Sequence, residues 1–146
     1  MATVFDVAKY ILKQTGPISS MKLQKLVYYS QAWSLVWEEK PLFSNRIEAW
    51  ANGPVSPELF DRHRGKFIIE AADFSYANDD SLNENQKDTI NKVIEFYNKY
   101  DSASLSELTH REDPWKDARK RANVEEGDRC NEEIKLDDMQ KYYEAL

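Results

Sequence analysis

Residues 21–37, with the sequence MKLQKLVYYSQAWSLVW, form the segment that most restricts how this chain can fold. Eleven of these 17 residues are apolar. On a helix they spread over more than half of the circumference, so no face of it is polar enough to point to solvent. The pattern therefore predicts a helix that begins at Ser19 or Ser20, lies in the centre of the fold and is covered by other elements.

Two further segments show the apolar spacing of a helix with one buried face. In residues 4–12 the apolar side chains recur every three or four positions, and Thr3 with Asp6 forms a capping-box pattern at the start. In residues 90–100 the same spacing recurs. Both segments predict amphipathic helices.

Several polar residues stand where later helices are expected to begin. Ser81, followed by a glutamate three positions on, predicts the start of the helix that includes residues 90–100. Ser104 shows the same pattern and predicts a second start. Asp113 before Pro114 predicts the N-cap and the first position of a third helix.

Residues 49–60, AWANGPVSPELF, interrupt the helical pattern near the middle of the chain. Asn52 and Gly53 favour a turn with positive φ, which the following proline restricts further. Ser56 before Pro57 predicts the N-cap and first position of a short helix. We expect a rigid loop, with at most a short strand, that leads into this helix.

The length of 146 residues suits one folded unit with a single hydrophobic core. The sequence predicts a mostly α fold: a single compact multi-helix domain over residues 1–146, with at most a minor short β element. No apolar run approaches the roughly 18 residues of a membrane span, and the first residues lack a secretory signal pattern. Cys130 is the only cysteine and has no internal partner for a disulfide. We expect a reduced, cytoplasmic protein with no membrane partner.

The formal net charge of −6 restricts the class of partner. Nucleic-acid affinity rests largely on Lys and Arg side chains that neutralise phosphates, so this charge argues against nucleic acid as the main partner. Two short basic clusters, residues 62–66 and 116–121, are predicted to lie at helix C-termini, where cations are favoured. The acidic chain is better suited to a basic protein partner.

Few groups in the sequence are arranged for catalysis. His63 and His110 are the only histidines, and no zinc-ligand spacing is present, so no metal site is predicted. The four glycines form no Gly-rich phosphate loop. Cys130 lies in an acidic segment, which disfavours a thiolate. We therefore expect no cofactor and no enzymatic activity, and a small enzyme that uses His110 or His63 remains an alternative.

Two lysines lie inside the apolar arc of the central helix. Lys22 falls beside Tyr29 and Trp33, and Lys25 falls between apolar neighbours. Lysines in such positions can extend their ammonium groups outward along the helix surface. Alternatively, they can place a cation over Tyr or Trp rings at a recognition surface. On the second interpretation, one candidate binding surface consists of Lys22, Lys25, Tyr29 and Trp33.

Four motifs follow one another along most of the chain. They are a Lys-Leu-Gln-Lys-Leu helix with aromatic residues at 22–29, a Pro-Leu-Phe loop at 41–43, an Ala-Trp then Gly-Pro-Val turn at 49–55, and a His followed by a Pro-Trp pair at 110–115. Their order and spacing resemble the Panacea antitoxin domain family, which occurs in phage-associated and toxin-antitoxin genes. The resemblance implies that the family scaffold comprises Leu23, Leu26, Trp50, Gly53, Pro54, His110, Pro114 and Trp115.

The resemblance implies an antitoxin, a protein that binds a co-encoded toxin and blocks it without catalysing a reaction. Lys22, Lys25, Tyr29 and Trp33 are then the candidates for toxin contacts. The acidic charge fits a basic toxin, including toxins that act on tRNA or other RNA. Three alternatives stay open: an adaptor that delivers a bound protein to a protease, the small enzyme described above, and an autoregulator that binds DNA. The last is disfavoured because no basic helix-turn-helix pattern is present.

Overall fold

Seven helices and two short antiparallel sheets make up the computed structural model, which describes residues 1–146. The helices are α1 (Val4–Thr15), α2 (Ser20–Trp37), α3 (Pro57–His63), α4 (Glu84–Tyr97), α5 (Ser102–His110), α6 (Asp113–Arg121) and α7 (Leu136–Glu144). The strands are β1 (Ile18–Ser19), β2 (Glu48–Trp50), β3 (Gly53–Val55) and β4 (Ile68–Ile69). Two 3₁₀ turns, Ala71–Phe74 and Asp79–Ser81, precede α4. The predicted mostly α fold is confirmed.

The apolar segment predicted to be central forms α2, which packs against α1, α4, α5, α7 and β3. Leu23, Leu26, Tyr28 and Tyr29 are among its fully buried side chains. They belong to one hydrophobic core of 32 buried residues that draws on every part of the chain. A helix that is apolar on most sides therefore has a packing partner on most sides.

The first helix starts lie where the sequence predicts them. The Thr3 side chain accepts a hydrogen bond from Asp6 N at 3.2 Å, and the Asp6 carboxylate accepts one from Thr3 N at 2.9 Å. Ser19 caps α2 by accepting from Lys22 N at 3.2 Å, and Ser56 caps α3 ahead of its proline. These capping bonds form as expected because each depends only on residues within one turn.

Two later starts differ from the prediction by a few residues. The N-cap of α4 is Asn83, whereas Ser81 lies in a 3₁₀ turn and donates a hydrogen bond to the Asp6 carboxylate at 3.0 Å. The N-cap of α5 is Asp101 rather than Ser104. In both cases an Asn or Asp close to the predicted serine takes the capping position, which these residues fill at least as well as serine.

The segment predicted as a rigid loop forms a hairpin of β2 and β3, with Trp50 opposite Gly53. Gly53 has a φ of +122°, the positive value expected for this turn. The other edge of β2 is covered by the segment before α7, where Ala49 N donates to Glu132 O at 2.9 Å. The hairpin is thus held along both sides of β2.

The second sheet pairs β1 with β4, with Ile18 opposite Ile69. It joins the start of α2 to the segment after α3, because Ser20 N donates to Phe67 O at 2.8 Å. No helix of the structure combines the length and the apolar character that crossing a membrane requires.

Candidate functional site

Lys25 does not extend outward along α2, because its side chain is fully buried and its Nζ has no hydrogen-bond partner. Gly53 lies directly against it, and a Cβ on Gly53 would stand 2.6 Å from Lys25 Cε. Burial lowers the pKa of Lys25 to about 7. The predicted surface position of Lys25 is therefore corrected to a core position.

Lys22 does extend outward, and its Nζ donates to Asn98 O at 2.7 Å.

The motif residues of the second half of the chain converge on the same point. Trp115 Nε1 donates to Trp50 O at 2.9 Å, and the Trp115 ring stacks on His110 with centroids 4.0 Å apart. Thr109 Oγ1 would lie 2.9 Å from a Cβ on Gly53. The central helix, the hairpin and α5 therefore meet at Gly53 with no room for a larger residue. On the basis of this packing, we propose that these residues have the structural, scaffold role that the motifs imply.

His63 is buried and His110 is partly buried, and both lie near Lys25. His63 is 2% exposed, and its Nε2 accepts a hydrogen bond from Gln24 Nε2 at 3.0 Å. Nε2 of His110 is buried and has no hydrogen-bond partner. Burial, with a smaller contribution from the charge of Lys25, lowers the pKa of both imidazoles and so favours their neutral form. No group of His, Cys, Asp and Glu side chains is arranged to hold a metal ion.

Tyr29, which was also predicted to lie on a binding surface, belongs to a buried network around a carboxylate. Its hydroxyl and that of Tyr143 both donate to Glu112 Oε1 at 2.7 Å, and Tyr28 Oη lies 3.0 Å from Tyr143 Oη. Burial raises the pKa of Glu112, and the two hydroxyls that donate to it oppose the rise. With no exposed surface, Tyr29 is corrected from a contact residue to a core residue.

Glu112 is also the N-cap of α6, in place of the predicted Asp113.

Trp33 is the predicted contact residue that borders an open apolar surface. It packs on Trp37 with ring centroids 5.0 Å apart, and its Nε1 donates to Tyr97 Oη at 2.9 Å. The surface is a groove of about 510 Å³ between α2, α4 and the C-terminus. This aromatic groove is lined by Trp33, Trp37, Lys92, Val93, Phe96, Tyr97 and Leu146.

Three apolar side chains of the aromatic groove are open to solvent. Trp37 is 45% exposed, Phe96 is 56% exposed and Leu146 is 72% exposed. Lys92 Nζ lies 5.5 Å from the centroid of the Trp37 ring and is the one charged side chain in the lining. Contiguous exposed apolar surface is typical of interaction sites, and aromatic residues dominate the binding energy at protein interfaces. The aromatic groove is the best candidate for a binding surface.

Of the four predicted contact residues, only Trp33 therefore lines the aromatic groove. Lys22 is at the opposite end of α2, where its Nζ donates to Asn98 O, and it is not part of the groove. Phe96 was not among the predicted contact residues, although the sequence indicates it: it is a large aromatic residue that helical spacing places outside the buried face of α4. Leu146 was missed because its place depends on how α7 packs against α2.

Comparisons with known proteins identify related sequences. The model of the family described as "Antitoxin SocA-like, Panacea domain" matches residues 23–116, more than half of the chain. Antitoxin SocA of Caulobacter vibrioides (strain NA1000 / CB15N) is 41% identical over 59 residues. That segment is 38% of this chain and 31% of the relative, so the match spans about a third of the relative's length. No solved structure matches the chain.

Proposed function

The chain belongs to the family of SocA-like antitoxins with a Panacea domain, and on that premise we propose that it neutralises a cognate protein toxin by binding it directly. Residues 1–146 would act as one unit, without catalysing a reaction. We place the complex in the cytoplasm, where a chain with a single cysteine stays reduced. Family membership is the observation that carries the proposal.

The aromatic groove is the surface we assign to the toxin. Trp37 and Phe96 are large, exposed and adjacent, and fully burying such an aromatic side chain contributes ~2 kcal/mol. The hydrogen bond from Trp33 to Tyr97 fixes one wall before binding, which reduces the entropy lost on association. Apolar side chains of the toxin would fill the groove.

The charge of the chain indicates the kind of toxin. With a formal net charge of −6, the chain attracts a basic partner and accelerates its association at low ionic strength. Toxins that act on tRNA or other RNA bind phosphates and carry such basic surfaces. We therefore propose a basic, RNA-targeting toxin.

Capture of the toxin from a co-expressing strain tests the binding step. The tagged chain is compared with Trp37→Glu and Phe96→Glu, which place a carboxylate in the aromatic groove. Phe67→Glu is the matched control, because Phe67 is 75% exposed and lies at the opposite end of α2 from Trp37. We expect wild type and Phe67→Glu to retain the toxin and both groove variants to lose it. Equal capture by all four proteins would refute the assignment of the groove.

The half-life of the toxin in cells distinguishes inhibition from delivery to a protease, which would use the same kind of surface. If the chain blocks the toxin by occupancy, the toxin persists unchanged when the chain is present. A shorter toxin half-life in the presence of the wild type, but not of Trp37→Glu, would instead establish the adaptor.

A further inference from the structure

A second cleft, of about 390 Å³, opens beside the turn of the β2–β3 hairpin. It shares no lining residue with the aromatic groove. We call it the hairpin cleft. The side chains that give it its chemical character are Trp50, Asn52, Phe60, Arg64, Arg129 and Asn131.

Two aromatic rings form the apolar part of the hairpin cleft. Trp50 and Phe60 pack edge to face with centroids 5.0 Å apart, and both are only partly buried. Trp50 Nε1 donates to Glu48 Oε1 at 2.9 Å, which fixes the orientation of the indole. The cleft therefore presents ring surface on which a flat ligand can stack.

Two arginines supply positive charge to the same cleft. Arg64 is exposed, and its ion pair is a 3.7 Å contact with the exposed Asp61, a type of pair that contributes little. Arg129 is exposed and forms no ion pair or side-chain hydrogen bond. Glu48, the carboxylate held by Trp50, is already paired with Arg46 at 2.9 Å. The Arg64 guanidinium also lies 5.6 Å from the centroid of the Phe60 ring, a weak contact at an exposed site. Both guanidinium groups are thus available to an anion.

Lys25 lies behind the hairpin turn, in the interior, and does not line the cleft. Lys25 Nζ would be 3.4 Å from a Cβ on Gly53, the residue after Asn52, and it has no hydrogen-bond partner. The segment around Arg129 is acidic, with Glu125, Glu126 and Asp128 close to it in sequence. An anion in the cleft would therefore be held by direct hydrogen bonds from the two guanidinium groups rather than by the field of the whole chain.

We propose that the hairpin cleft binds a single nucleotide. The base would stack on the Trp50 and Phe60 rings, and its phosphate would be held by Arg64 and Arg129. Ring stacking and forked hydrogen bonds from guanidinium to phosphate are the usual contacts for this ligand class. The cleft has the size of a small-molecule site, and the net charge of −6 disfavours a longer polyanion. This inference does not rest on the proposed toxin complex.

Calorimetric titration of the intact chain with AMP and with GMP tests the proposal. Adenosine and inorganic phosphate are titrated separately, because each carries half of the proposed recognition. A second readout is specific to the cleft, because Cys130 is the only cysteine and lines it. Cys130 is only 5% exposed, so a thiol reagent reaches it when the surrounding loop opens, and a bound nucleotide should slow that reaction further. We expect at least one nucleotide to bind more tightly than adenosine or phosphate and to protect Cys130.

Charge-reversal variants locate the binding. Arg64→Glu and Arg129→Glu should each weaken nucleotide binding by roughly tenfold or more. Arg111→Glu is the matched control, since this exposed arginine lies outside the cleft and should leave binding unchanged. The proposal is overturned if neither nucleotide binds at concentrations up to about 1 mM, if both cleft variants bind as wild type does, or if phosphate alone binds as tightly as the nucleotide.

Discussion

Replacing Lys25 with methionine should make the protein more stable at neutral pH. Lys25 is fully buried, and its Nζ has no hydrogen-bond partner. A buried ammonium without a counter-ion is strongly disfavoured, so folding forces this group towards its neutral form. Methionine has a similar unbranched shape and carries no charge, so it can occupy the same space without that penalty.

The magnitude follows from the pKa of Lys25. Burial lowers this pKa from 10.5 to about 7, so between these values the unfolded chain holds a proton that the folded chain lacks. Stability then rises with pH, by up to ~1.4 kcal/mol for each pH unit. Over the whole interval the wild-type free energy of unfolding gains ~4 kcal/mol from this group, and about half of that gain falls between pH 7 and about pH 9.

Urea denaturation, followed by tryptophan fluorescence at several pH values from 7 to about 9, measures the effect. Lys25→Met should exceed wild type by ~4 kcal/mol at pH 7 and by ~2 kcal/mol at pH 9. Lys22→Met is the matched control on the same helix, and its difference from wild type should change by less than ~1 kcal/mol. A Lys25→Met difference that stays constant with pH, or a variant less stable than wild type at pH 7, would refute the reasoning.

Three further predictions concern the core and the groove. In chemical denaturation, Gly53→Ala should lower the free energy of unfolding by ~3 kcal/mol, because its Cβ would meet Lys25 Cε at 2.6 Å. Gly65→Ala is the control: Gly65 also has a positive φ, but no atom lies within 4 Å of the added Cβ, so the cost should be ~1 kcal/mol. Glu112→Ala should cost ~3 kcal/mol because two tyrosine hydroxyls lose their acceptor, while Glu112→Gln should stay within ~1 kcal/mol of wild type. Because the folded pKa of Glu112 is raised, its contribution to stability falls as the pH rises above 4.5, so the free energy of unfolding of wild type should fall relative to that of Glu112→Gln over this range. Trp37→Glu should lower the free energy of unfolding by no more than ~2 kcal/mol, since Trp37 is already 45% exposed and loses mainly its packing on the Trp33 ring.

The central helix could be predicted because its signal is local and redundant. Apolar residues on most of its circumference leave a buried position as the only favourable one. Helix starts at Thr3, Ser19 and Ser56 could also be predicted, since a cap depends on a few neighbouring residues. Where two capping residues lie within a few positions, as with Ser81 and Asn83, the sequence does not decide between them.

Burial of individual polar groups could not be predicted, because it depends on contacts between distant segments. Lys25 is enclosed by Gly53 and Thr109, which are far along the chain, and helical spacing does not reveal them. Glu112 turns inward to meet Tyr29 and Tyr143. The aromatic groove likewise combines the end of α2 with α4 and the C-terminus.

Growth of cells that express the product of the neighbouring gene tests the proposed neutralisation most directly. That product is induced alone, with the wild-type chain, with Phe67→Glu and with Trp37→Glu. We predict that it arrests growth alone, that wild type and Phe67→Glu restore growth, and that Trp37→Glu does not. Full rescue by Trp37→Glu would contradict the assigned surface, and the absence of any arrest, or an arrest that the wild-type chain does not relieve, would contradict the antitoxin function itself.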